Sequence, residues 1–251
     1  MNIQMRAAGH GPAVVFLHGC PTDVHVLDRA ADAVTAYATT LLVSLPGYGA
    51  SPRLPTPWTL DDLYCAIERA LLERGVERAA FVGFSAGAYH ALALACRGVV
   101  TPTSIVSLAG MVDLGVAERD GMRQFAAGVE SGADLRPIAA ARFLSAGART
   151  AVNVAAVQAW MDATSAANLA AELRVLADAP DLGDAVRLLD VPILARVGSE
   201  DVAAPPAKSE AIVSAARHGT LHVVPHVGHA LTIEDAAGTE SDVRRALGSA
   251  F

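Results

Sequence analysis

The chain has 251 residues, 53% of them hydrophobic, 18% charged and 5% aromatic, and 19 Lys and Arg against 26 Asp and Glu leave a net charge of −7. That much apolar surface can offset the entropy of ordering, which excludes a disordered chain. The acidic balance, without any block of Lys or Arg, argues against a nucleic-acid partner.

Mean hydropathy is positive, but the apolar residues come in short bursts. The longest, residues 86–100, contains His90 and Arg97 and falls short of the about 20 apolar residues that a membrane span needs. No secretory segment precedes the first burst at residues 14–17. Cys20, Cys65 and Cys96 are scattered and form no CxxC pair, which argues against a disulfide framework or a zinc site and fits a reducing cytoplasm. The expectation is a cytoplasmic protein with a small-molecule partner and no membrane partner.

In chain order, short β-branched runs alternate with longer Ala- and Leu-rich stretches, as strands alternate with helices in an α/β domain. At most one short strand fits residues 2–6. Residues 14–17 read as a buried strand, 24–37 as a helix, and 40–44 as a strand stopped by the Leu45-Pro46-Gly47-Tyr48-Gly49 turn. Residues 60–74 are helical, with Thr59 or Asp61 as cap and Leu60, Leu63, Tyr64, Ile67 and Leu71 on one face. A strand at 79–83, a helix at 86–97 and a strand at 104–108 follow. Near the end come a strand at 193–197, a helix at 206–217, a strand at 221–224 and a helix at 235–247.

The middle differs, because Ala-rich helical stretches succeed one another there with no convincing strand. We expect a core of residues 1–112 and 186–251 and a helical cap, 113–185, inserted over the carboxyl edge of the sheet, where open α/β sheets bind ligands. Packing helices without ligand contact are the plainer alternative.

Gly83-Phe84-Ser85-Ala86-Gly87 matches G-x-S-x-G, and it lies between an expected strand and an expected helix. A serine on such a sharp turn projects its hydroxyl above the sheet, and the helix start favours negative charge at the same place. A serine in an ordinary Gly-rich turn is the alternative. A hydroxyl nucleophile needs a base, and the base needs an orienting carboxylate. His229 in Val227-Gly228-His229 follows the last strand and is preferred to His226, three residues upstream. Asp201 in Gly198-Ser199-Glu200-Asp201 also follows a strand and is preferred to Glu200 and Asp113.

An oxyanion needs two donors. The Ala86 N–H follows the nucleophile, and the Cys20 N–H in His18-Gly19-Cys20-Pro21 is the natural second, because Pro21 has none. The Cys20 thiol could itself be a nucleophile, but no base is spaced around it. Met111, Phe125, Phe143, Trp160 and Met161 would build a selecting pocket, or equally an ordinary core of the cap.

The strand followed by His18-Gly19-Cys20-Pro21, the Leu45–Ser51 turn, the serine elbow, Gly198-x-x-Asp201 and Gly228-His229 together resemble the α/β-hydrolase family over nearly the whole chain. The resemblance implies a mostly parallel doubly wound sheet with a helical cap inserted after the sixth family strand. It also implies a triad of Ser85, Asp201 and His229, oxyanion donors at Cys20 and Ala86, and a supporting role for His18. Two departures stand out. The leading hairpin is clipped, and Ala86 and Ala88 replace the Met and Gly of many relatives.

The expected activity is hydrolysis of a small carboxylic ester through an acyl-enzyme, with lactone, thioester or carbon–carbon bond hydrolysis as alternatives on the same residues. A ligand receptor with little turnover is the alternative of another class. No metal or other cofactor is expected, since there is neither a phosphate loop with its lysine nor paired-histidine spacing.

Overall fold

In the computed structural model, which describes residues 3–248, adjacent residues of each central strand are apolar on opposite faces of one sheet. Seven strands form it: β1 (Met5–Gly9), β2 (Ala13–Leu17), β3 (Thr39–Val43), β4 (Arg78–Phe84), β5 (Thr101–Leu108), β6 (Pro192–Gly198) and β7 (His218–Val224). Their order is β1-β3-β2-β4-β5-β6-β7, and every pair is parallel except β1 with β3. Parallel neighbours require crossovers, and the helices supply them.

The helices are α1 (Asp28–Asp32), α2 (Leu60–Leu72), α3 (Ala86–Arg97), α4 (Val116–Glu130), α5 (Arg136–Phe143), α6 (Ala151–Trp160), α7 (Ala166–Ala177), α8 (Gly183–Val186), α9 (Pro206–Ala215), α10 (Leu231–Glu234) and α11 (Ala236–Gly248). Because strand side chains alternate, Val15, Leu17, Phe81 and Ile105 join α2, α3 and α9 in one core layer. Val14, Phe16, Val82 and Val106 join α1 and α11 in the other. Each fully buried large aliphatic contributes roughly 1.5–3 kcal/mol, so the sheet needs both coats.

Local chemistry sets the boundaries. Thr59, not Asp61, caps α2: its hydroxyl accepts the Asp62 N–H at 3.2 Å, and Asp62 Oδ2 accepts the Thr59 N–H at 2.8 Å. The helix expected over 24–37 is much shorter. The Asp23 carboxylate accepts the His25 N–H and starts a tight turn at Val24–Leu27; Thr35 then bonds the Asp32 carbonyl, and this side-chain competition helps close α1. Part of the expected strand at 2–6 falls on Asn2, outside the described residues, and the strand occupies Met5–Gly9. His218 starts β7 instead of preceding it; this edge strand is largely exposed, so its polar first half carries no burial signal.

Among the described residues between β5 and β6, the regular elements are helices, α4 to α8, and Thr164 makes an isolated antiparallel bridge to Tyr48. α4 packs on α7, with Ala126, Val129, Leu169, Ala170 and Leu173 buried between them, and α5 packs on α6. No helix among the described residues is long and apolar enough to cross a membrane.

Candidate active site

Ser85 stands between β4 and α3 with φ 55° and ψ −122°, a conformation that costs a non-glycine residue energy and is held by its surroundings. One hold is the Ser85 N–H, which donates to the Leu108 carbonyl at 2.8 Å. Another is Gly87, where an added Cβ would lie 2.1 Å from the Leu17 carbonyl oxygen. Only glycine lets the start of α3 come this close to β2.

The hydroxyl of Ser85 donates to His229 Nε2 at 2.9 Å, and His229 Nδ1–H donates to Asp201 Oδ2 at 2.7 Å. The other Asp201 oxygen accepts the N–H groups of Ala203 and Ala204, both at 2.8 Å. Both oxygens of this buried carboxylate are therefore engaged, and an acceptor at Nδ1 sets the imidazole tautomer with its proton on Nδ1. The His229 ring lies between Phe84 and Phe143, with centroids 5.3 and 5.2 Å away, and it is 3% exposed. Three strand ends thus bring together three residues that sequence alone had grouped.

Their rivals lie elsewhere. His226 is almost wholly exposed and faces Glu200 at 3.5 Å. Asp113 faces Lys208 at 3.4 Å.

The loop after β2 runs beside the nucleophile, since a Cβ added at Gly19 would lie 2.8 Å from Ser85 Cβ. His18 shapes this loop. Its Nδ1–H donates to the Gly19 carbonyl, and its Nε2 accepts the Leu45 N–H, both at 3.0 Å. Burial pushes the His18 pKa down to about 4, so the ring stays neutral. The Ala86 N–H belongs to the first turn of α3, where backbone donors lack intrahelical partners. Burial pushes the Cys20 thiol well above its ordinary value, which leaves it protonated and poorly nucleophilic.

Of the five suggested pocket residues, Phe143 touches His229, and Trp160 meets Phe143 and Phe84 at 5.9 and 6.1 Å. Phe125, Met161 and Cys20 pack on the α4–α7 cluster. Met111 instead lies in the main core layer. A cavity of about 470 Å³ is lined by Asp23, Val26, Trp160, Asp162, Thr232 and Ile233, and it shares Trp160 with the aromatic group around His229. Among the described residues no group of three His, Cys, Asp or Glu side chains is placed to hold a metal ion.

Sequence reasoning missed the side chains that fasten the helices between β5 and β6 to this site. The Thr164 hydroxyl donates to the Gly47 carbonyl at 2.7 Å, Asn168 Nδ2 donates to the Pro46 carbonyl at 3.1 Å, and the Tyr48 hydroxyl donates to Glu172 Oε2 at 2.6 Å. Gly47, at φ +83°, leaves no room for a Cβ beside Asn168. The available signal was a pair of polar residues, Asn168 and Glu172, four apart among the apolar positions of one helix.

The alpha/beta hydrolase family model matches residues 14–241. A curated relative, the 2-succinyl-6-hydroxy-2,4-cyclohexadiene-1-carboxylate synthase of Escherichia coli O8 (strain IAI1), is 31% identical over 121 residues, 47% of each chain. The chain therefore matches about half the length of the curated relatives. Many solved structures share the fold, two of which are an esterase and an enol-lactonase. A thermophilic esterase from Thermogutta terrifontis has a TM-score of 0.90 at 19% identity, covering 99% of this chain and 93% of that one. An enol-lactonase from Burkholderia xenovorans LB400 has a TM-score of 0.88 at 22% identity, covering 98% and 96%. With its seven-stranded, mostly parallel sheet and a family match over nearly its whole length, the chain belongs to the alpha/beta hydrolase family.

Proposed function

We propose that the protein is a serine hydrolase that cleaves a small carboxylic ester by way of an acyl-enzyme on Ser85. The observation that carries this reading is the hydrogen-bonded row from Ser85 through His229 to Asp201, at 2.9 and 2.7 Å. In it, His229 Nε2 takes the hydroxyl proton as Ser85 Oγ attacks the ester carbon, and Asp201 stabilises the imidazolium that forms. The Cys20 and Ala86 N–H groups receive the oxyanion. His229 then gives its proton to the leaving alcohol, whose C–O bond breaks. Water, deprotonated by the same nitrogen, attacks the acyl carbon and releases the acid and free Ser85.

Residues 113–185 act as the cap. Phe143 and Trp160 form an aromatic wall above the imidazole, supported by their 5.2–6.1 Å ring contacts with His229 and Phe84, which suits a compact acyl substrate. The protein as it exists, and its Ser85→Ala variant, should be assayed on short-chain aryl esters, lactones, thioesters and a cleavable diketone. Multiple turnovers on esters by the wild type, lost by about three orders of magnitude or more in the variant, support the reading. A stoichiometric burst without steady state points to a receptor, and full activity in the variant refutes the reading.

A further inference from the structure

Two polar side chains outside the Ser85 row, Tyr48 and Glu172, are buried together where α7 meets the Leu45–Ser51 turn. Tyr48 is fully buried and Glu172 is 4% exposed, and their oxygens are 2.6 Å apart. The half-buried Cys20 side chain packs on the α4–α7 cluster, and the Tyr48 ring stands edge-on to the His18 ring, 4.6 Å away, whose Nδ1–H donates to the Gly19 carbonyl. The contact is braced at the two residues before Tyr48, by Thr164 on the Gly47 carbonyl and Asn168 on the Pro46 carbonyl. A carboxyl on α7 is thus connected, through Tyr48 and His18, to the loop that runs beside Ser85.

We propose that Glu172 is a positioning residue for the oxyanion loop: it holds the Tyr48 hydroxyl, and through the Tyr48 ring and His18 it fixes the Gly19–Cys20 backbone and so the Cys20 N–H. This rests on the hydrolase reading above. A charged carboxylate at the same place would oppose the oxyanion through a poorly screened interior.

Protonation states agree with this geometry. Burial pushes Tyr48 and Cys20 well above their ordinary values, so both keep their protons, and Tyr48 donates to Glu172. Burial raises Glu172 to about 7, against the pull of the hydrogen bond from Tyr48. His18, whose ring is 4.6 Å from Tyr48, stays neutral. The charged groups on α4 and α7 are engaged elsewhere. Arg119 bonds the Ala177 and Ala179 carbonyls, Arg123 pairs with Asp120 and Asp178, Glu130 pairs with Arg174, and Glu118 pairs with Lys208. Asp120 lies in the Arg123 pair, which leaves Glu172 as the member of the cluster that changes charge near neutrality.

The test compares wild type, Glu172→Gln, Glu172→Leu and Tyr48→Phe by ester kinetics across pH, thermal melting, and amide exchange of residues 18–22 read by mass spectrometry. Glu172→Gln, permanently neutral, should match wild-type kcat at about pH 6 and lack the wild type's alkaline fall near pH 7, ending about tenfold higher at about pH 9. Glu172→Leu should lower kcat about tenfold or more at every pH with KM within about twofold, and speed exchange of the segment about tenfold. If Glu172→Leu does not fold, Tyr48→Phe carries the same expectation. Unchanged kcat and unchanged exchange in the folded variants would overturn the proposal, as would an alkaline limb that persists in Glu172→Gln. A wild type that cleaves no ester but whose loop exchange responds to Glu172→Leu would refute the hydrolase reading and leave the loop coupling standing. Turnover without any exchange response would do the reverse.

Discussion

Asp201 and His229, 28 residues apart, meet at 2.7 Å with both side chains buried. The second oxygen of the carboxylate is already taken by two backbone N–H groups, so the side chain has one orientation available and the imidazole one tautomer. Asp201→Asn would present an amide that can reverse this pattern and hold the wrong tautomer. It should lower kcat by about three to four orders of magnitude with little change in KM. Asp113→Asn and Glu200→Gln, which sit in surface pairs, should stay within about twofold. Steady-state kinetics on the best ester of the panel decides between them.

The elbow makes a stability prediction with its own control. Gly87→Ala would drive a methyl group to 2.1 Å from the Leu17 carbonyl oxygen, which neither backbone can avoid without parting α3 from β2. A loss of about 3 kcal/mol or more, or failure to fold, is expected. Gly121 lies within α4 with nothing within 4 Å of an added Cβ. Gly121→Ala should gain about 0.5–1 kcal/mol from helix propensity alone. Denaturant melts of the two variants give the comparison.

Glu172 also predicts a pH dependence of folding. Its folded pKa of about 7 stands above the ordinary 4.5, so the unfolded chain releases this proton first as pH rises. The stability associated with the protonated group is fully present below about 4.5 and is lost up to about 7, then levels off. Relative to Glu172→Gln, wild type should lose on the order of 3 kcal/mol across that window. Chemical denaturation of both proteins at about pH 4.5, 6 and 8 tests it; a constant difference would mean that the carboxyl is already charged in the fold.

Much of this was legible in the chain because it follows from local chemistry. β2 and β4 announce themselves as short apolar runs, and α3 begins where a glycine pair and a serine leave room for nothing else. Asp201 and His229 could be singled out because each follows a strand. What stayed hidden depends on partners far along the chain. Tyr48 and Glu172 are separated by 124 residues, and no spacing rule links a turn tyrosine to a glutamate on α7. The exposed half of β7 and the shortened α1 were hidden for another reason. Edge pairing needs no burial, and a single threonine hydroxyl can help end a helix that apolar spacing would continue. For Met111 the sequence left core and pocket equally open, because an apolar residue after a strand fits either, and the structure places it in the main core layer.

The most direct measurement is the site of acylation. The protein is mixed with an activated short-chain ester, quenched in acid during the first turnovers, digested, and sequenced by mass spectrometry. An acyl mass on Ser85 that forms and decays at the rate of turnover is the predicted result. An adduct on Cys20 instead, or turnover with no adduct in a protein whose Ser85→Ala variant remains fully active, would contradict the account.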